Sequence, residues 1–238
     1  MIKKLLQLKG REVVKYNRDF PITRHLDTNG VEILGNQSFQ ESCSEIMSLT
    51  LLDTARLANL WDFSLLTNPL GNIIEIGAYK GGTSIHLSNA NPERRIIVCD
   101  SFGKSFKDFK PELDSNFSTD QFTDNSEFAF VDILKQKKRN FSVINGFFPD
   151  SVAEPNLLTP ISFCYIDVDT YVSTLKSLTY LETSHCFMEK SIIISDDYNR
   201  QATGVNKAID DFVREFKHWQ AFPLFPSQCL LLHKSFFQ

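Results

Sequence analysis

Ile73-Ile74-Glu75-Ile76-Gly77-Ala78-Tyr79-Lys80-Gly81-Gly82 reads as a strand running into a glycine turn. Ile73, Ile74 and Ile76 are apolar and β-branched, as suits a short strand buried within a parallel sheet. Gly77 and Gly81 then free the backbone, and Thr83-Ser84-Ile85-His86-Leu87 reads as the start of a helix. Without a Cβ the chain turns sharply and comes close to a bound group, while amides at a helix N-terminus favour a polar or negative atom. A ligand is therefore expected over this turn. The spacing Glu75-x-Gly77-x-x-x-Gly81 lacks the third glycine of the dinucleotide fingerprint G-x-G-x-x-G, which disfavours the alternative of a nucleotide-dependent oxidoreductase.

Towards the C-terminus, Pro92 leads to Arg95-Ile96-Ile97-Val98-Cys99-Asp100, an apolar run that ends on a carboxylate. Ligands of doubly wound sheets lie beyond the carboxyl ends of the strands. Asp100 therefore points at the same crevice as the turn, and about twenty-five residues after Glu75 it is placed to accept hydrogen bonds from two ribose hydroxyls. Residues 102–126 are polar and aperiodic, a connection long enough to be either a lid or a solvated insertion. Helical spacing resumes over 127–138, a third strand covers Phe141 to Asn145, and Gly146-Phe147-Phe148-Pro149 follows. Strand-like runs from Ile161 to Asp167 and from Ser191 to Asp197 flank a helix through Leu175, Leu178 and Leu181. A helix over 205–216 precedes a hairpin, Trp219 to Phe225 and Gln228 to His233, with its turn at Pro226-Ser227. This alternation predicts an α/β fold, a mostly parallel sheet with helices on both faces and an antiparallel C-terminal hairpin strand.

Towards the N-terminus, Ile46, Leu49, Leu52, Ala55, Leu57, Leu60 and Trp61 recur near helical spacing until Asn68-Pro69-Leu70-Gly71 stops them, giving one or two amphipathic helices. Residues 1 to about 40, broken by Pro21, Gly30 and Gly35, are expected to be irregular with at most a short helix. The chain thus divides into an N-terminal extension with cap helices over 1–70 and an α/β domain over 71–238.

Of the 238 residues, 42% are apolar and 23% charged, as in soluble globular proteins. Twenty-five basic against 29 acidic residues give a net charge of −4, spread evenly along the chain. That balance argues against nucleic acid and against an anionic membrane surface, leaving a small molecule as partner. Cys43, Cys99, Cys164, Cys186 and Cys229 are odd in number and widely separated, as reduced thiols are. No window approaches the ~20 apolar residues of a membrane span, and the basic N-terminus lacks a small-residue cleavage site. A cytoplasmic location is expected.

The chemistry gathers where two strands end in paired acids, Tyr165-Ile166-Asp167-Val168-Asp169 and Ser195-Asp196-Asp197-Tyr198-Asn199. If the strands are neighbours, these carboxylates converge and repel. A hard divalent cation such as Mg²⁺ resolves the repulsion and leaves coordination sites for substrate oxygens. It would also lower the proton affinity of a bound hydroxyl, which next to a cofactor over the glycine turn suggests group transfer. The competing reading makes Asp169 a cap for the helix beginning near Tyr171 and Asp197 a turn residue, which accounts for one acid per strand. The histidines have no metal-ligand spacing: His86 lies in the first helix, His185, His218 and His233 are scattered, and His25 falls in the irregular part.

Taken in order, Glu75-Ile-Gly77-Ala-Tyr-Lys-Gly81-Gly82, Asp100-Ser101-Phe102, Gly146-Phe147-Phe148-Pro149, Tyr165-Ile-Asp167-Val-Asp169-Thr-Tyr171-Val-Ser173-Thr174 and Ser195-Asp196-Asp197-Tyr198 resemble the macrocin O-methyltransferase family of class I S-adenosylmethionine-dependent enzymes. The likeness runs from about Ser42 to Phe216. It implies a seven-stranded Rossmann-like sheet and Mg²⁺-dependent methylation of a hydroxyl on a sugar or related natural product. Glu75, Gly77 and Gly81 would line the methionine and ribose part of S-adenosylmethionine, Asp100 would hold the ribose hydroxyls, and Gly146 with Phe147 would border the adenine. Ser101 and Asp167 complete the implied cofactor contacts. Asp167, Asp196 and Asp197 would bind the metal, with Asp167 and Asp169 as the catalytic acids and Asp169 as candidate base. The metal geometry is also similar to that of catechol O-methyltransferases, whose lysine base is replaced here by Thr170. Val168 stands where the macrocin family usually has glycine, and the turn Phe187-Met188-Glu189-Lys190 lacks the usual Gly-Gly. The likeness makes a homo-oligomer reasonable. A ligand-binding module without chemistry would bind the cofactor independently of metal.

Overall fold

The computed structural model describes residues 36–237, apart from 106, 107, 116, 138 and 199–202. The irregular stretch expected over 1–40 lies outside the described residues as far as residue 35, and His25 with it. The strands are β1 (Asn72–Ile76), β2 (Ile96–Asp100), β3 (Phe141–Asn145), β4 (Ile161–Ile166), β5 (Phe187–Ser195), β6 (Trp219–Leu224) and β7 (Gln228–His233). The helices are α1 (Gln37–Ile46), α2 (Thr54–Leu65), α3 (Gly82–Ala90), α4 (Glu127–Gln136), α5 (Tyr171–Thr183) and α6 (Thr203–Glu215).

The seven strands form one sheet in the order β3-β2-β1-β4-β5-β7-β6. Pairs β1–β2, β2–β3, β1–β4 and β4–β5 are parallel, whereas β7 runs antiparallel to both β5 and β6. The expected fold class is therefore the observed one. Strand order reverses beside β1, with β2 on one flank and β4 on the other, so the crevice of this topology opens above the tips of β1 and β4.

Alternation along the strands explains why helices cover both faces. Ile73, Phe163, Tyr165, Ile192 and Ile194 point one way and pack with Leu57, Leu60 and Trp61 of α2 and Ile85 of α3. Ile74, Ile76, Cys164, Ile166 and Ile193 point the other way, onto Leu178 and Leu181 of α5 and Ile209 and Phe212 of α6. The single helical pattern before β1 is two helices because Asp53 interrupts it, its side chain accepting the Arg56 amide as the N-cap of α2. The largest departure from the boundaries read in the sequence lies in β5. Phe187 to Lys190 read as a turn but belongs to β5, where pairing jumps from Ile161↔Phe187 to Phe163↔Ile192. The extra residues form a bulge, with Lys190 at φ +57°.

His86 is fully buried in α3, ringed by Phe39 and Trp61 at centroid distances of 5.5 and 5.1 Å. Its Nε2 lies 3.1 Å from the Leu57 carbonyl oxygen, which can only accept, so Nε2 carries the proton. Nδ1 is left to accept from the Ser42 hydroxyl at 2.8 Å. Burial pushes this imidazole down from 6.5 to about 4. The unfolded chain therefore binds a proton below pH 6.5 that the folded chain refuses. Stability is complete above that pH and should fall by about 3 kcal/mol as pH drops from 6.5 to 4. Urea unfolding of His86→Gln beside the unmodified chain checks this, since the variant should lose that part of the acid sensitivity.

No helix among the described residues is long and apolar enough to cross a membrane.

Candidate active site

Above the tips of β1 and β4 lies a cavity of about 720 Å³. One end is lined by Gly77, Asp100, Ser101, Gly146 and Phe147, and the floor carries Asp167, Asp169, Asp196 and Asp197. Leu49 to Leu52, between α1 and α2, form one wall. Phe117, Gln121, Phe122 and Asn125, from the long connection after β2, form another.

Gly77 sits at φ +86°, and a Cβ there would come within 1.9 Å of the Asp167 carbonyl oxygen. The glycine lets the β1 tip press against the β4 tip, where the Asp167 amide donates to the Ile76 carbonyl at 2.8 Å. Three of the amides around the turn are engaged within the chain. Asp100 Oδ2 accepts from the Ala78 and Tyr79 amides at 2.7 and 2.9 Å, and Gly82 donates to the Leu49 carbonyl at 3.3 Å. Asp100 Oδ1 accepts from the Phe102 amide at 2.7 Å and from Asn125 Nδ2 at 3.3 Å. The acid after β2 thus shapes the glycine turn itself.

Glu75 and Gly81 do not line the cavity. Glu75 is wholly buried beneath the turn, accepts from the Ser84 hydroxyl, and leaves Oε1 without a hydrogen-bond partner. Burial raises its carboxyl to about 8, with the Asp100 charge adding to the rise, so it is mostly protonated at neutral pH. Gly81, at φ +87°, is the N-cap of α3, where a Cβ would meet the Phe130 ring at 2.8 Å.

At the floor, Asp167, Asp169 and Asp197 each offer a carboxylate oxygen, and the three lie within 4.8 Å of one another. Burial and the charges of Asp196 and Asp197 push the Asp167 carboxyl well above its ordinary range. Burial and the charges of Asp167 and Asp197 do the same to Asp169. Tyr165 Oη steadies Asp167 Oδ2 at 3.0 Å.

The capping alternative fails for Asp169. The N-cap of α5 is Thr170, whose hydroxyl accepts the Ser173 amide, and the Tyr171 amide donates to Asp114 at 2.9 Å. Asp169 itself takes a left-handed backbone at φ +61°, as does Asp197 at +59°. Asp114, wholly buried, ties the connection after β2 to the start of α5. Tyr79 Oη ties the same connection to the glycine turn through Asp124 at 2.8 Å.

Asp196 is engaged differently from its neighbour. Its Oδ2 accepts from Arg56 Nη1 of α2 at 2.5 Å, with both residues buried. Burial alone would pull the Arg56 guanidinium down, but the charges of Asp196, Tyr165, Asp53 and Asp167 outweigh it and hold it above its usual range. The sequence gives one weak clue to Arg56, a charged residue between Ala55 and Leu57, positions that the helical spacing turns towards the core.

NovP, titled an O-methyltransferase, superposes with a TM-score of 0.66 at 18% identity, covering 78% of this chain and 82% of that one. CalS11, titled calicheamicin methyltransferase, gives 0.57 at 19% identity, covering 97% and 90%. The S-adenosylhomocysteine-bound methyltransferase PaMTH1 of Podospora anserina gives 0.57 at 11% identity, covering 93% and 98%. At these identities the likeness speaks for the fold. No curated protein matches the sequence. The sequence model of the macrocin O-methyltransferase (TylF) family matches residues 43–222, a span that holds the glycine turn and both acid pairs. The chain belongs to the macrocin O-methyltransferase family and is an S-adenosylmethionine-dependent O-methyltransferase.

Proposed function

We propose that this enzyme methylates a hydroxyl of a small molecule, a sugar moiety or other natural product, with Mg²⁺ held at the acid cluster. The observation that carries this reading is the convergence of Asp167, Asp169 and Asp197 within 4.8 Å on the floor of the cavity whose far end is the glycine turn. Carboxylates gathered this closely suit a hard cation with oxygen ligands. CalS11, similar in fold, is also titled a TDP-rhamnose 3'-O-methyltransferase, which supports a sugar acceptor.

Gly77, Asp100, Ser101, Gly146 and Phe147 would hold S-adenosylmethionine, which supplies the methyl group. A ribose hydroxyl would take the place of the long Asn125 bond on Asp100 Oδ1, the weakest of the four that this carboxylate accepts. Glu75 and Gly81 would act from beneath, by shaping the turn. Asp167 and Asp197, with Asp196 beside them, would hold a divalent ion, whose Lewis acidity lowers the proton affinity of a hydroxyl oxygen. Asp169 would take the proton from that hydroxyl as the carbon–oxygen bond forms. Leu49 to Leu52 and the aromatic residues of the connection after β2 would enclose the acceptor and exclude water. A cytoplasmic location accords with five cysteines that are all unpaired.

Calorimetric titration tests the cofactor assignment. S-adenosylhomocysteine should bind and NAD(P) should not, and the reverse would favour the oxidoreductase alternative. Transfer of labelled methyl from S-adenosylmethionine to sugar acceptors should stop in chelator and return with Mg²⁺. Transfer undiminished in chelator would remove the metal from the account.

A further inference from the structure

Arg56 is the one strongly basic side chain buried against the acid cluster among the described residues, and its bonds have a direction. Nη1 donates to Asp196 Oδ2 at 2.5 Å, Nε to Asp53 Oδ2 at 3.0 Å and Nη2 to the Leu51 carbonyl at 2.9 Å. Asp53 is also the N-cap of α2, so the guanidinium is fixed at its root by the helix that carries it. Leu51 belongs to the cavity wall between α1 and α2. That wall is seated on the first residue of α3, where a Cβ on Gly82 would come within 2.8 Å of the Leu49 backbone. One planar, permanently charged group therefore grips the wall with one nitrogen and an acid of the floor with another.

We infer that Arg56 is a positioning residue that fixes the Asp196 carboxylate for the divalent ion and locks the 49–52 wall to that acid, an inference that rests on the metal reading above. Carboxylates that ligate metals are commonly held by a hydrogen bond from a neighbouring group, and losing that partner weakens metal binding. A simpler role exists and predicts the opposite sign. If Arg56 only offset the negative charge of four aspartates, removing it would deepen the local potential and tighten the binding of any cation. If it positions, removing it takes away the donor to Asp196 Oδ2, the carboxylate is no longer held in that orientation, and the ion is held less well.

Calorimetry with Mn²⁺ on the full chain, with S-adenosylhomocysteine titrated separately, distinguishes the two. Arg56→Gln should bind Mn²⁺ about 10- to 100-fold more weakly, while S-adenosylhomocysteine affinity stays that of the unmodified protein. Arg56→Lys keeps the charge but loses the fork, guards against a variant that fails to fold, and should show a loss in the same direction. Mn²⁺ binding by Arg56→Gln that equals or exceeds the unmodified level would overturn the inference in favour of charge balance. Equal losses of Mn²⁺ and S-adenosylhomocysteine binding would overturn it in favour of a general packing role. Unmodified protein that binds S-adenosylhomocysteine but no Mn²⁺ would overturn the metal reading and this inference together.

Discussion

Asp167→Asn is expected to lower methyl transfer by about 10³-fold or more, several kcal/mol of transition-state stabilisation, while leaving S-adenosylhomocysteine affinity nearly intact. The substitution changes charge and hardly changes shape. The backbone bond from the Asp167 amide to Ile76 survives, and Tyr165 Oη still finds an oxygen or nitrogen at the same place. The charge that completes the three-acid cluster is lost, and with it the proposed ion. Rates on any acceptor that the unmodified enzyme methylates, set beside a calorimetric titration of S-adenosylhomocysteine, check the prediction. A variant that keeps its rate would place the chemistry elsewhere in the cavity.

Gly77→Ala should be the most damaging change of a single atom group. Its Cβ would have to share space with the Asp167 carbonyl oxygen at 1.9 Å, on a backbone at φ +86° that L side chains rarely adopt. Overpacking and backbone strain each cost about 1–3 kcal/mol, and here both apply to the same residue. The two strand tips cannot separate without moving Asp167, so loss of activity should accompany loss of stability. For a chain of this size a destabilisation of about 3 kcal/mol lowers Tm by about 6–12 °C. Thermal unfolding of Gly77→Ala checks it. An unchanged Tm would mean that the β1 and β4 tips are less tightly joined than the geometry shows.

Much of this architecture could be read from local pattern. Ile73 to Ile76, Ile96 to Cys99 and Ile161 to Ile166 are mostly apolar runs, as suits buried parallel strands, and each ends where a glycine or an acid begins. The hairpin after Trp219 was legible from its Pro226-Ser227 turn. The bulge at Phe187–Lys190 was not, because it is fixed by the register of β5 against β4, a property of two segments rather than one.

At the site the sequence located the acids but not their partners. The pairing of Asp100 with the glycine-turn amides, of Asp114 with the start of α5 and of Asp196 with Arg56 spans 22, 57 and 140 residues respectively. Contacts at such separations leave no periodic trace. For the same reason Asp169 reads as a helix cap in the sequence, whereas in the fold Thr170 and Asp114 satisfy that helix.

The decisive measurement is a crystal structure grown with S-adenosylhomocysteine and Mn²⁺, with the ion located by its anomalous scattering. The expected result is a single manganese peak ligated by Asp167, Asp196 and Asp197, with the cofactor's sulfur facing it from the glycine turn. A cofactor bound there with no peak among the four aspartates, at saturating Mn²⁺, would contradict it.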